Sequence, residues 1–269
     1  MKTSEILNLY KNWYADEELG EFEKIQAGWR RLGAIYKAKN ISKGFRPEPT
    51  SHILDIGGGM GEVSEALFQE FSFPPTKLVE ISRDAVSIAK KKDGVKEALE
   101  FDGYTIPLPD RSVDFGFSTH VLEHVPDPRR FLREVHRVCK KVFIEIPIDY
   151  STNINAKHLL SYGHVNVFTP STARFLLESE GFKVEQEFSS STQGRYDLAF
   201  YNHFYNGGNS ADLVSRTKFT LYYIYNYTVS RIKRSFTKSF PSEYCFVLTP
   251  DDNFQITSLV ETQRERRKS

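Results

Sequence analysis

Between Thr3 and about Asn40 the apolar residues recur at mixed spacings of three and four: Ile6, Leu9, Tyr10 and Trp13, then Phe22, Ile25, Trp29, Leu32, Ile35 and Tyr36. That is the helical period, and it predicts two or three helices forming an N-terminal cap over residues 1–45. Gly44 to Thr50, with Pro47 and Pro49, breaks the period and leads into the short apolar run Ile53–Ile56, a buried strand. Beyond it, strand-like runs (Lys77–Ile81, Ala98–Phe101, Val113–Ser118, Val142–Ile146) alternate with helix-like ones (Ala85–Lys92, Pro128–Cys139). A further helix at Ser171–Glu180, stopped by Gly181, precedes a strand at Phe182–Phe188, and a last strand is expected at Glu243–Leu248. Alternation of this kind argues for βαβ units, hence an α/β fold with an open parallel sheet and helices on both faces.

The stretch between the last two strands, 189–240, is far longer than an ordinary connection and is expected to be an insertion with helical structure of its own, acting as a substrate lid. The main domain is then 46–188 with 241–252, and the Arg-, Lys- and Glu-rich stretch 253–269 is expected to be a disordered tail.

With 36 Lys and Arg against 35 Asp and Glu, the formal net charge is +1. Such a balance supplies no field to hold a polyanion, so nucleic acid is not the expected partner. The two cysteines, Cys139 and Cys245, lie in apolar runs and form no CxxC pair, which fits a reducing cytoplasm. No signal-peptide pattern opens the chain, and no run reaches the roughly 18 to 20 apolar residues of a membrane span. The Tyr-rich, basic stretch 219–240 could touch a lipid surface, but a half-buried helix face is the favoured reading.

Chemistry concentrates in Ile53-Leu54-Asp55-Ile56-Gly57-Gly58-Gly59-Met60-Gly61-Glu62, a strand feeding a glycine-rich turn that opens a helix. A dinucleotide fingerprint counted from Gly57 would need glycine where Glu62 stands, and the Lys-Ser/Thr of a phosphate loop is absent. Glu62 at the helix N-terminus disfavours a phosphate, while Asp55 suits an ammonium group. S-adenosylmethionine carries an ammonium, a sulfonium and no phosphate. Glu80, at a strand end about 20 residues on, could accept from ribose hydroxyls, and Asp102, before Gly103 at another strand end, from an adenine amino group.

These motifs resemble those of the class I S-adenosylmethionine-dependent methyltransferases, in the branch that includes ubiquinone-pathway and related small-molecule enzymes. Pro107-Leu108-Pro109-Asp110, Val113-Asp114-Phe115 and Val121-Leu122-Glu123-His124-Val125-Pro126-Asp127-Pro128 match as well, so the resemblance runs from about Ile53 to Phe188. It implies a Rossmann-like sheet of about seven strands with the last antiparallel, and S-adenosylmethionine as cofactor. The cofactor-binding residues it implies are Asp55, Gly57, Gly58, Gly59 and Gly61 at the methionine end, Glu80 and Ile81 at the ribose, Asp102 and Gly103 at the adenine, with Ser118 and Thr119 at the next strand end. The chain departs from the family at Val138-Cys139-Lys140-Lys141-Val142, where a Lys-Pro-Gly-Gly turn is usual. Gly163-His164-Val165-Asn166-Val167-Phe168-Thr169-Pro170 resembles an element of some relatives and is placed at the active-site mouth.

Methyl transfer is an in-line displacement, so alignment of the acceptor and exclusion of water carry much of the catalysis. An alcohol or phenol acceptor also needs a base, and imidazole titrates near neutrality. His120 is the first candidate, then His164 and His158, with a plain pocket-wall role as the alternative for His120. His124 is read as structural, in a segment that starts a helix. His120 and His124 stand four apart, but no third ligand at suitable spacing is evident, so no metal is expected. Arg30 and Arg31 are either an anion clamp or a solvated face. The leading reading is an enzyme that methylates a small molecule, preferentially at oxygen, the acceptor being a metabolite, sugar or lipid-linked precursor. A catalytically inactive cofactor-binding scaffold is the alternative.

Overall fold

The computed structural model describes residues 20–148, 159–160, 163–190, 221, 224 and 243–254. The first half of the cap, His158, nearly all of the insertion and the tail from 255 on therefore lie outside the described residues.

Seven strands form one sheet in the order β3-β2-β1-β4-β5-β7-β6. They are β1 (Ile53–Ile56), β2 (Thr76–Glu80), β3 (Val95–Glu100), β4 (Phe115–Thr119), β5 (Val142–Pro147), β6 (Phe182–Ser190) and β7 (Glu243–Pro250). The first five pair in parallel, while β7 runs antiparallel to both β5 and β6. The expected α/β class, strand number and antiparallel last strand are all present. The helices described over their full length are α1 (Gly20–Gly44), α2 (Glu62–Phe71), α3 (Arg83–Ala89), α4 (Pro128–Val138) and α5 (Pro170–Ser179).

Because successive side chains of a strand point to opposite faces, the apolar runs divide between two cores. Ile53, Phe115, Phe117, Phe143, Cys245 and Val247 pack with Ala34, Ala38 and Ile41 of α1 and Ala66 and Leu67 of α2. On the other face Leu54, Ile56, Val142, Ile144, Ile146, Phe246 and Leu248 meet Phe131, Leu132 and Val135 of α4 and Ala173, Leu176 and Leu177 of α5. Both cysteines are buried and free, as their apolar surroundings predicted.

Within the described part of the cap there is one continuous helix, α1, running through Gly28 and Gly33; glycine inside a helix costs only about 1 kcal/mol, which neighbours can offset. One expectation about elements is corrected. The Leu122-Glu123-His124 segment forms a turn, with the His124 N–H bonded to the Val121 carbonyl at 2.9 Å, and does not start a helix. Helix α4 begins at Pro128, where Asp127 accepts from the Arg130 N–H. Proline disfavours helical geometry in the residue before it, so the start is held off until the second of the two prolines has been placed at the first helical position.

Candidate active site

The C-terminal ends of β1 and β4 and the inner face of α1 enclose a cleft of about 400 Å³ lined by Arg30, Gly33, Tyr36, Lys37, Asp55, Gly57, Gly58, Gly59, Glu62, Thr119, His120 and Glu243. The glycine turn forms its floor. Gly57 has φ +74°, and a Cβ on it would lie 2.6 Å from Val121; one on Gly58 would lie 2.6 Å from the Asp55 carboxyl carbon. Glycine is required at both, at the first for its backbone angle as well as for space.

Carboxylates hold this turn together. Asp55, fully buried on the α1 side of β1, accepts from the Ser64 hydroxyl at 2.7 Å. Burial pushes its carboxyl up to about 7, only partly countered by Ser64. Glu80 accepts from the N–H groups of Gly59, Ile81 and Ser82 at 2.9, 2.9 and 3.0 Å. Burial raises its pKa as well, against those three bonds. A carboxylate offers about four acceptor positions, so roughly one remains for a ligand hydroxyl.

Of the other residues predicted for the cofactor, Asp102 spends both oxygens on its own turn, accepting from the Tyr104 and Thr105 N–H groups and the Thr105 hydroxyl. These bonds outweigh burial and lower its pKa. Gly103 follows in that turn at φ +87°. Ser118 is buried with a hydroxyl that has no partner among the described residues. Gly61 caps α2 at φ +79° without a side-chain bond. Arg30 pairs with Glu62 at 3.6 Å and Arg31 with Glu70 at 3.9 Å, so α1 is tied to α2 through its basic residues.

His120 stands at the end of β4 with φ +56°, a left-handed conformation uncommon outside glycine. Its N–H bonds the Glu145 carbonyl at 2.9 Å. The ring lies between two buried carboxylates, with Nε2 3.4 Å from Glu145 and Nδ1 3.8 Å from Glu123. Glu145 also accepts from Asn40 of α1 at 2.7 Å. Burial alone would raise Glu145, but His120, Lys37 and the Asn40 bond together hold it below the ordinary value. For Glu123, burial wins and the pKa is raised.

His164, predicted at the mouth of the site, is brought to this corner. The Val165 and Asn166 N–H groups donate to the Glu123 carbonyl at 2.9 and 3.0 Å. The Asn166 side chain donates to the carbonyls of Leu122 and Val125 at 3.2 and 2.7 Å. His124 has Nδ1 3.2 Å from the Gly163 carbonyl and its ring centroid 4.8 Å from that of His164. Burial drives the His124 pKa down to about 4. His164, 40 residues on in the chain, thus lies beside His124 and Glu123, a neighbourhood that linear spacing does not show.

Glu145, Asn40, Lys37 and Glu243 were not singled out from the sequence. Only Glu145 left a signal, as the one charge inside the apolar run Val142-Phe143-Ile144-Glu145-Ile146. Such a charge in a strand buried on both faces needs a paired or functional explanation.

Residues 54–142 match the protein family described as Methyltransferase domain. The strand order, the glycine turn on β1 and the acidic end of β2 coincide with that segment. Over that segment, a third of its length, the chain is similar to the class I methyltransferases. Among curated relatives of the methyltransferase domain, the 2-methyl-6-phytyl-1,4-hydroquinone methyltransferase of Arabidopsis thaliana is 30% identical over 94 residues, 34% of this chain and 28% of that protein. The demethylmenaquinone methyltransferase of Chlamydia muridarum is 26% identical over 137 residues, 47% of this chain and 57% of that protein. The chain thus spans less than two thirds of the length of these relatives. The phosphoethanolamine N-methyltransferase 2 of Haemonchus contortus, solved in complex with S-adenosyl-L-methionine, shares the fold with a TM-score of 0.61, 13% identity, 90% of this chain and 60% of that one covered. The match ends at residue 142, so Glu145, His164 and α1 lie outside it.

Proposed function

We propose that this protein is an S-adenosylmethionine-dependent methyltransferase acting at a hydroxyl of a small molecule, with His120 as the general base. The cleft suits a cation without phosphate: Asp55 is buried at its wall, Glu62 occupies the helix end where a phosphate would otherwise sit, and the glycines leave no side chain on its floor. Asp55 and the turn 57–59 would hold the methionine end and Glu80 a ribose hydroxyl; the Asp102 carboxylate, already spent on its turn, leaves the adenine to the Gly103 side of that loop. When bound, the cofactor supplies an electrophilic methyl group.

The observation that carries the assignment of oxygen is His120 at the rim of the same cleft, backed by Glu145. With Nε2 3.4 Å from Glu145, we assign the ring hydrogen to Nε2 and the Nδ1 lone pair to the acceptor's proton, the arrangement of histidine bases oriented by an acid. Lys37 and Asn40 of α1 keep Glu145 charged. Helix α1 forms one wall and limits water at the reacting centre.

Calorimetric titration with S-adenosylmethionine and S-adenosylhomocysteine, with NAD and ATP as controls, tests the cofactor. Binding of the first two alone is expected; binding of neither overturns the reading. The relatives named for hydroquinone and demethylmenaquinone make hydroxylated aromatic rings the first acceptors to screen. With an acceptor found, His120→Ala should lower kcat by roughly 10²- to 10⁴-fold while cofactor affinity stays. An unchanged kcat removes His120 from the chemistry.

A further inference from the structure

Next to the cleft, one corner holds more ligating chemistry than a base requires. Glu123 is buried to 1% exposure, and neither carboxylate oxygen has a hydrogen-bond partner among the described residues. A buried carboxylate left in that state demands an explanation such as an ion. Ligating atoms of Glu123, His124 and His164 all lie within 4.8 Å of one another, and His124 Nε2 is 3.6 Å from Glu123 Oε1. Around a tetrahedral ion with bonds of about 2.1 Å, ligand atoms stand about 3.4 Å apart, so small side-chain rotations bring all three into range.

We propose that Glu123, His124 and His164 form a binding site for one divalent transition-metal ion of the zinc class. Two imidazoles and one carboxylate select such an ion over magnesium or calcium, which prefer all-oxygen shells. The orientation is already set. The second ring nitrogen of His124 is turned to the Gly163 carbonyl, the outer contact that metal-bound histidines make in order to aim the other nitrogen inward. The segment carrying His164 is clamped to the Glu123 turn by four hydrogen bonds, two through the backbone and two from Asn166. With three protein ligands the ion keeps an open position, the arrangement of catalytic rather than structural sites.

The location gives the ion a use, and this part rests on the methyl-transfer reading. Glu123 Oε1 is 3.8 Å from His120 Nδ1, so the open position borders the nitrogen proposed to take the acceptor's proton. An acceptor hydroxyl on the ion is made more acidic; its O–H bond breaks, the proton goes to His120 Nδ1, and the oxygen keeps the electron pair as nucleophile.

The test uses the full chain, stripped with chelator and titrated with Co²⁺, whose visible absorption reports nitrogen ligation and low coordination number. One equivalent with such a spectrum is expected, displaced by Zn²⁺ and unaffected by a large excess of Mg²⁺. His164→Ala should weaken Co²⁺ binding by at least about tenfold, and Glu123→Gln likewise. The S-adenosylmethionine affinity of both variants, measured in parallel, should match wild type and shows that they are folded. No uptake by the wild type, or uptake that survives both substitutions, overturns the metal site. Should the wild type bind Co²⁺ as described but not S-adenosylmethionine, the metal site stands and the methyltransferase reading falls.

Discussion

Asp55 is a charge-sensitive position of the cleft. Its folded pKa of about 7 lies above the ordinary 3.8, so the folded chain holds a proton that the unfolded chain releases. Its contribution to stability is therefore complete below about pH 4 and is lost as pH rises through about 7. A cationic cofactor interacts with the charged form, which reverses the trend for binding: affinity for S-adenosylmethionine should rise from about pH 6 to about pH 8, with close to one proton expelled at the lower pH. Calorimetry in two buffers of different ionisation enthalpy measures that proton directly, and Asp55→Asn should flatten the pH dependence. A flat wild-type profile would mean that Asp55 does not sense the ligand. This residue, like the glycines, was legible in the sequence because its chemistry is confined to one continuous strand and turn. Glu145 and His120 form a pair across β4 and β5, and no local pattern reveals a contact between strands. The same applies to His164 and Glu123, whose proximity is made by hydrogen bonds between two loops.

At the scale of elements, the Asn166 side chain adds two hydrogen bonds to the backbone ties that hold its loop against the turn before α4. Asn166→Ala leaves the carbonyls of Leu122 and Val125 without that donor and should cost about 1–3 kcal/mol, read from the urea midpoint. It should also loosen Co²⁺ binding, since His164 is carried on the same strand of chain. An unchanged midpoint would show that water replaces the amide. Hydrophobic patterning predicted every described strand to within a few residues, most directly β1, β4 and β5, which are buried along nearly their whole length. It failed where the turn before α4 was taken for a helix start, because Pro126 and Pro128 act on backbone angles that apolar spacing does not record. It also could not reveal that α1 crosses both of its internal glycines, which are tolerated because the sheet and α2 pack against the helix.

For the molecule as a whole, α1 is joined to the sheet and to α2 beside the cleft: Lys37, which lines it, and Asn40 act on Glu145 of β5, and Arg30 pairs with Glu62 of α2. Filling the cleft should therefore stabilise the entire fold. At a cofactor concentration about 100 times its Kd the gain is about 2.7 kcal/mol, which for a chain of this size raises Tm by roughly 5–10 °C. Differential scanning fluorimetry checks this, with ATP giving no shift; equal shifts from ATP would point to a general nucleotide pocket. The α/β class was readable in advance from the alternation of strands and helices, and the antiparallel last strand from the family resemblance, whereas the strand order came from the structure.

Ser190 at the end of β6 faces Glu243 at the start of β7 across a rung of the sheet. Residues 191–242 therefore leave and re-enter the fold at adjacent points beside the cleft, where Glu243 itself lines the wall. Closing a loop between two points already held together by a ladder becomes only slowly more costly with length. A change in the length of that interval therefore carries only a small closure cost for the pairing of β6 with β7.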